Sequence, residues 1–327
     1  MDSGLRSTRP LHSPVDLEPA AAGVAEMLEN GPVAVAAIPI ERVVADGPDH
    51  GPDGPKIRLS QIDWTAAGPI LALHVVCLAA PFLFSWSTLA LTVVLWWLAG
   101  GMGVCLCYHR LLTHRSFKTP KWFEYTLTIL STLCWQGGPI KWVGEHRIHH
   151  KHSDHEHDPH SPKHGFSWAH ALWAVTKSPP GYEPRDAAKD LQRDKVMVWI
   201  DRNHALPQFV LMGLLMLVGT LVGGWMLGLA WVVWGVAVRT VFTYHATWLV
   251  NSAAHTWGYR TYDTDDDSRN NWWVAIVSFG EGWHNNHHAS QRTAAHGQKW
   301  YEFDITYQTI RVLKLIGLAR DIVPIKH

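Results

Sequence analysis

The chain has 327 residues, and its 28 Lys+Arg are balanced by 28 Asp+Glu, so the formal net charge is zero and the basic footprint of a nucleic-acid-binding protein is absent. Only 17% of residues are charged, below the ~25% usual in soluble domains, while 19 are Trp and 22 are His. The four cysteines, Cys77, Cys105, Cys107 and Cys134, sit in apolar stretches without CxxC spacing, which excludes a disulfide scaffold and argues against thiolate metal sites.

Residues 1–60 are rich in Pro, Gly and Ala, lack the layout of a signal peptide, and read as a flexible cytoplasmic arm ahead of a domain over 61–327. No charged residue occurs over 64–108 or 206–238. Each gap has room for two bilayer spans of ~20 residues. The first predicts spans over 68–86 and 87–108, the second over 206–225 and 226–249, giving two helical hairpins. Between them, residues 122–140 are apolar but interrupted by Glu124, and predict an amphipathic helix lying in the membrane plane. No Lys or Arg lies in either hairpin turn, so the positive-inside rule puts both termini and the segments 109–205 and 250–327 on the cytoplasmic side. Arg239, inside the fourth span, is expected to snorkel or to face protein.

Histidines concentrate in three runs at those cytoplasmic boundaries: His109 and His114 in HRLLTH, His146, His149 and His150 in HRIHH, and His284, His287 and His288 in HNNHH. Residues at i, i+3 and i+4 share a helix side, so each HxxHH presents three imidazoles together. The HxxxxH run is looser and implies a helix that ends or bends between its histidines. Eight imidazoles exceed the needs of one ion and suit two metals, although ligand type alone leaves iron, copper, zinc and nickel open. The tract HSDHEHDPHSPKH carries His152, His155, His157, His160 and His164, read as support or surface, with Asp154 or Asp158 orienting ligand imidazoles through their distal N–H. His255 lies four residues after Asn251, and spacing alone leaves its role open. His12, His50, His204, His296 and His327 stand outside any cluster and are read as ordinary residues.

The text around these runs resembles the membrane-bound fatty acid desaturases with three histidine boxes, above all the plant and bacterial acyl-lipid or acyl-CoA enzymes acting at the ninth carbon. The matching stretches are HRLLTHRSFKTPKWFEY, KWVGEHRIHH, DPHSPKHGFSWAHALW, NSAAHTWG and SFGEGWHNNHHA, over roughly residues 60–320. The resemblance implies an all-α integral membrane fold: four transmembrane helices in two hairpins with a cytoplasmic helical cap holding a dimetal site. It implies two non-haem irons, O2 as co-substrate, and as ligands His109, His114, His146, His149, His150, His255, His284, His287 and His288, with Asn251 reaching one metal through water. It further implies an acyl tunnel shaped by Gln136, Trp142, Thr247 and Trp248. Where the related animal enzymes carry an Arg-Asp pair for the CoA headgroup, this chain has Gly144 and Glu145, with Lys177 left to supply basic charge, so the acyl carrier stays open between CoA, glycerolipid and carrier protein. A separate electron donor, a ferredoxin or a small haem protein, is implied as a partner. The competing expectations are a diiron alkane or carotenoid hydroxylase and, in another class, a His-rich metal transporter, for which the spans offer His74 and His245.

Overall fold

The computed structural model describes residues 57–325 except 156 and 180. The expected arm as far as residue 56, together with His12, His50 and His327, lies outside the described residues; of its last four, Leu59 and Ser60 open a single helical turn, Leu59–Gln61. Within them the chain is helical, and β structure is limited to isolated bridges such as Lys118 with Arg320.

Helix α1 spans Trp64–Cys77, capped by Asp63, whose carboxylate accepts from the Thr65 amide. It ends well before the predicted limit of 86. Pro81 lacks an amide donor, and the chain makes a single tight turn at Ala80–Leu83 before Ser85 starts the next helix through a capping box with Thr88. Helix α2 therefore begins at Trp86, and it runs to Thr113, five residues beyond the predicted end. Among the described residues three helices are long and apolar enough to cross a membrane: α2, Leu206–Gly223 and Trp225–His255. At 14 residues α1 spans only ~21 Å by itself.

From Trp97 to Thr113 helix α2 widens into π-helical turns. Helix α3, Lys121–Thr132, stops short of the predicted 140 and buries Phe123, Leu127 and Ser131 against α2. Helix α4, Pro139–His152, opens with proline at its first position, and the Asp201 carboxylate accepts from the otherwise unpaired Ile140 amide at 2.9 Å. Asp201 belongs to α5, Lys195–Arg202.

Helices α6, Leu206–Gly223, and α7, Trp225–His255, form the second hairpin. Gly224 makes the turn at φ +84°, and Gly219 and Gly228 let the two backbones touch: a Cβ on Gly219 would lie 2.7 Å from the Gly228 Cα. Along α6, Leu214, Leu217, Leu221 and Val222 face outward. Arg239 faces protein: it is fully buried, donating to the carbonyls of Gly235 and Leu133 and to Gln208 Oε1. Three shorter helices follow, α8 at Trp272–Val277, α9 at His284–Ala289 and α10 at Ile305–Leu315. The largest apolar core joins Leu106, Leu111, Leu127, Ile140, Met197 and Ile310, from α2 to α5 and α10. It fixes the ends of α2 and α4, which carry the first two histidine runs.

Candidate metal centre and cavity

Nine histidines gather into two groups. In one, single ring nitrogens of His109, His114, His146, His150 and His287 all lie within 4.8 Å of one another; His149, His255, His284 and His288 form the other by the same measure. Helix geometry explains the division. Residues i and i+4 are separated by only about 40° around a helix, whereas i+3 lies about 60° to the other side of i. On α4 the i, i+4 pair His146 and His150 enters the five-nitrogen group, and His149 turns to the four-nitrogen group. On α9 the assignment reverses: His284 and His288 enter the four-nitrogen group and His287 the five-nitrogen group.

The HxxxxH run is reconciled differently. Instead of breaking between its histidines, α2 keeps the i→i+5 hydrogen bonding of a π-helix, with the His114 amide donating to the His109 carbonyl at 3.1 Å. Residues five apart then come together one turn on, and the two rings meet edge to face with their centres 4.7 Å apart. Asn residues of the third run lock the short α9. Asn285 Oδ1 accepts from the amides of Thr261 and Tyr262, and Asn286 Nδ2 donates to Glu302 and to the His296 carbonyl.

Carboxylates hold the ring orientations. His255 Nδ1 donates to Asp154 Oδ2 at 2.7 Å, and His149 Nδ1 to Asp158 at 3.0 Å, so both aspartates stand where a supporting role requires. Asp266 does the same for His288 at 2.7 Å, and Glu281 Oε2 lies 2.7 Å from His109 Nδ1. Neither Asp266 nor Glu281 was singled out by sequence, since neither neighbours its partner in a recognisable spacing. Glu281 also takes the buried Arg110, which bridges onward to Asp304. His296, read from sequence as an ordinary residue, is fully buried, with its ring 4.2 Å from that of His287 and its Nδ1 3.0 Å from Glu281. Its isolation in sequence hid it. Of the polar tract, His160 is buried, its ring 4.3 Å from that of His149, while His155 is exposed.

The donor set fits a metal. With Nδ1 of His149 and His288 committed to carboxylates, their Nε2 atoms are buried acceptors without a hydrogen-bond partner, as is His114 Nε2. The Nε2 atoms of His255 and His284 face each other at 3.0 Å, and those of His287 and His150 likewise. Such orphaned acceptors cost about 1–3 kcal/mol each unless a cation satisfies them. Burial, then neighbouring imidazoles, hold His146, His150, His284 and His287 well below the ordinary histidine value, and burial brings His288 down to about 4 against the pull of Asp266. All five are thus neutral at pH 7, the form that ligates. For His149 burial is outweighed by the charge of Asp158, and its value is raised.

A cavity of about 570 Å³ reaches both groups, with His109 and His146 of one and His284 of the other on its wall. Gln136, Trp142, Thr247 and Trp248 all line it, as does Asn251. Gln136 Nε2 donates to Thr247 Oγ1 at 3.0 Å and Gln136 Oε1 accepts from Trp142 Nε1 at 3.1 Å, tying α4 to α7 across the cavity. Trp96, Gly100, Val104 and Phe279 add apolar wall, and Asp63, Lys141, Glu145 and Lys177 add charge. No side chain fits at Gly144 without displacement, because a Cβ there would meet the Pro184 carbonyl at 1.8 Å. Lys177 donates to the Ser60 carbonyl at 2.8 Å.

Residues 58–312 match the family model described as fatty acid desaturase. The chain is 48% identical to an sn-1 stearoyl-lipid 9-desaturase of Anabaena variabilis, over 80% of this chain and 94% of that one. It is 45% identical to an sn-2 palmitoyl-lipid 9-desaturase of a Nostoc species, over 80% and 91%, and 42% identical to an acyl-CoA 5-desaturase of Anemone leveillei, over 76% of each. With a family match across most of its length and relatives near half identical, the chain belongs to the fatty acid desaturases, oxidoreductases of lipid metabolism.

Proposed function

We propose that this desaturase acts on saturated acyl chains of membrane glycerolipids, placing a cis double bond at the ninth carbon with O2 and two irons. One iron is held by His109, His114, His146, His150 and His287, the other by His149, His255, His284 and His288, with Asn251 reaching it through water. The observation that carries this reading is the apolar cavity whose wall includes imidazoles of both groups. Membership in the family sets the transporter aside, and the cavity's Gln136–Thr247 crosspiece favours a desaturase over a hydroxylase as the resemblance frames it.

When bound, the irons supply the oxidising power that an unactivated methylene demands and no side chain possesses. The chain's own residues supply position. The crosspiece of Gln136, Thr247 and Trp142 fixes where the acyl chain passes the imidazoles, and the tryptophan walls exclude water. Asp154, Asp158, Asp266 and Glu281 hold the rings in their ligating tautomers. One dioxygen takes two hydrogens from the acyl chain, two electrons from a donor protein and two protons, and leaves as two waters. The donor is a ferredoxin or a small haem protein.

The charged residues on the cavity wall support a lipid-borne substrate. Lys141 sits 3.6 Å from Glu145, Lys177 is tied to the Ser60 carbonyl, and Gly144 offers no side chain, so among the described residues no cationic cluster on the cavity wall awaits the phosphates of CoA. Four spanning helices, α1, α2, α6 and α7, with the histidine groups on the cytoplasmic side complete the reading. Its support is the absence of Lys and Arg from both hairpin turns, and the exposed Leu71, Val75, Leu78 and Phe82, which extend the apolar surface of α1 to the start of α2.

The test is expression in a host followed by location of double bonds in its glycerolipids by mass spectrometry. New cis-9 monounsaturated chains, absent with His287→Ala, are expected. Hydroxylated chains in their place would overturn the reaction assigned, and double bonds appearing first in the acyl-CoA pool would overturn the carrier.

A further inference from the structure

The five-nitrogen group is approached from two directions that share no lining residue. The apolar cavity shows it His109 and His146. A separate surface cleft of about 540 Å³ shows it His114 and His150, ringed by Arg115, Arg147, Lys151 and Arg292. The substrate occupies the first approach on the reading above, so the electrons, which come from outside the chain, arrive by another face. At this cleft two rings of the group meet a surface dominated by positive charge.

The charge there is unbalanced. Asp190 pairs with Arg115 at 2.6 Å and with Arg147 at 2.7 Å, and Arg147 is further tied to the carbonyls of Leu112 and Ala187. Lys151 and Arg292 are exposed and have no ion pair among the described residues. Among the described residues four cations thus face one carboxylate around the mouth. Uncompensated charge of one sign raises the encounter rate of an oppositely charged partner and disfavours partners of like charge.

The geometry points to this cleft as the docking surface for a small acidic one-electron carrier of the ferredoxin type, with Lys151 and Arg292 steering it and His114 and His150 as the rings nearest the incoming electron. This rests on the desaturase reading. Each docking oxidises the carrier by one electron and reduces the centre by one, and two dockings serve each double bond. Arg115 and Arg147, held by Asp190, shape the seat, and the two unpaired cations set its affinity.

The experiment uses the iron-loaded full chain in lipid nanodiscs and a plant-type [2Fe–2S] ferredoxin, with binding measured at low and at physiological salt. The native chain should bind more weakly as salt rises, and Lys151→Glu/Arg292→Glu should weaken binding by about tenfold or more. The ferredoxin KM should rise in parallel, while iron content and kcat at saturating ferredoxin stay within about twofold. Lys314→Glu on α10, outside the cleft, should behave as the native chain. Unchanged ferredoxin affinity in the double variant would overturn the proposal. So would a salt-insensitive native affinity, or a double variant that loses only its binding to phosphatidylglycerol vesicles, which would make the cleft a headgroup site. Because binding is read without turnover, a chain that docks ferredoxin here yet forms no double bond refutes the desaturase reading alone.

Discussion

Asp154 offers the sharpest test of the metal assignment, because it supports one histidine group and leaves the other untouched. Its Oδ2 accepts from His255 Nδ1 at 2.7 Å and from the Asp267 amide at 2.8 Å, and its Oδ1 accepts from Ser161 at 3.3 Å. Asn can repeat all three contacts: its carbonyl oxygen faces His255 and Asp267, and its amide donates to Ser161 Oγ. What Asp154→Asn removes is charge. Charge-assisted bonds are roughly twice as strong as neutral ones, so the loss is about 1–1.5 kcal/mol, or close to tenfold in affinity for the second metal. Asp154→Gly removes the support altogether. Glycine is the appropriate truncation because Asp154 sits at φ +58°, where alanine would add backbone strain and confuse the comparison. There the loss should approach a hundredfold. The assay is iron retained per chain against chelators of graded strength. The native chain should release its two irons in two steps, and both variants should move only the weaker-held four-nitrogen step, Gly further than Asn. Equal weakening of both steps, or none with Asp154→Gly, would show that His255 does not ligate as assigned.

Acid should strip the site in a defined window. His114, His146, His150, His284, His287, His288 and His296 are all held below the free value of 6.5, chiefly by burial. The unfolded chain therefore binds more protons than the folded one once pH falls below about 6.5, so stability is full above that point and declines beneath it. Melting temperature and iron retention should stay level from pH 7 to 8 and fall progressively toward pH 5; a level response across the whole range would contradict the neutral-imidazole assignment. In the second hairpin, Gly228→Leu should lower the melting temperature in nanodiscs, because its Cβ would lie 2.6 Å from the Met216 carbonyl and overpacking costs about 1–3 kcal/mol. Gly213→Leu, whose Cβ meets open space, should leave it unchanged, and equal effects would refute the close-contact account.

Much of the site was legible because imidazoles announce themselves by type, and helical spacing carried His146, His149 and His150 to a common neighbourhood. Their division between two groups was not, since it depends on how α4 and α9 are rotated against each other, which spacing does not encode. The π-winding of α2 escaped for a related reason: HxxxxH looks like a broken α-helix unless the hydrogen-bond register is known. Glu281 was invisible because its partners lie far off in sequence, Arg110 being 171 residues away, and Asp266 and His296 because no recognisable spacing ties them to their nearer partners His288 and His287. The apolar segments showed where helices could span but not where they stop, as Pro81 and the Ser85 cap moved the first boundary.

The two histidine groups also say something about how the protein is made. His287 faces His109 across 178 positions of chain, and three of the four nitrogens in the smaller group belong to residues 255–288. A nascent chain that has released only its first hairpin and central segment owns four of the five nitrogens of one group and one of the four of the other. Contacts this distant form late, after the second hairpin has been placed. On the proposed ligand set, metal loading would wait for α9, and a ribosome that stalls before it yields a chain in which both groups lack their third-run histidines.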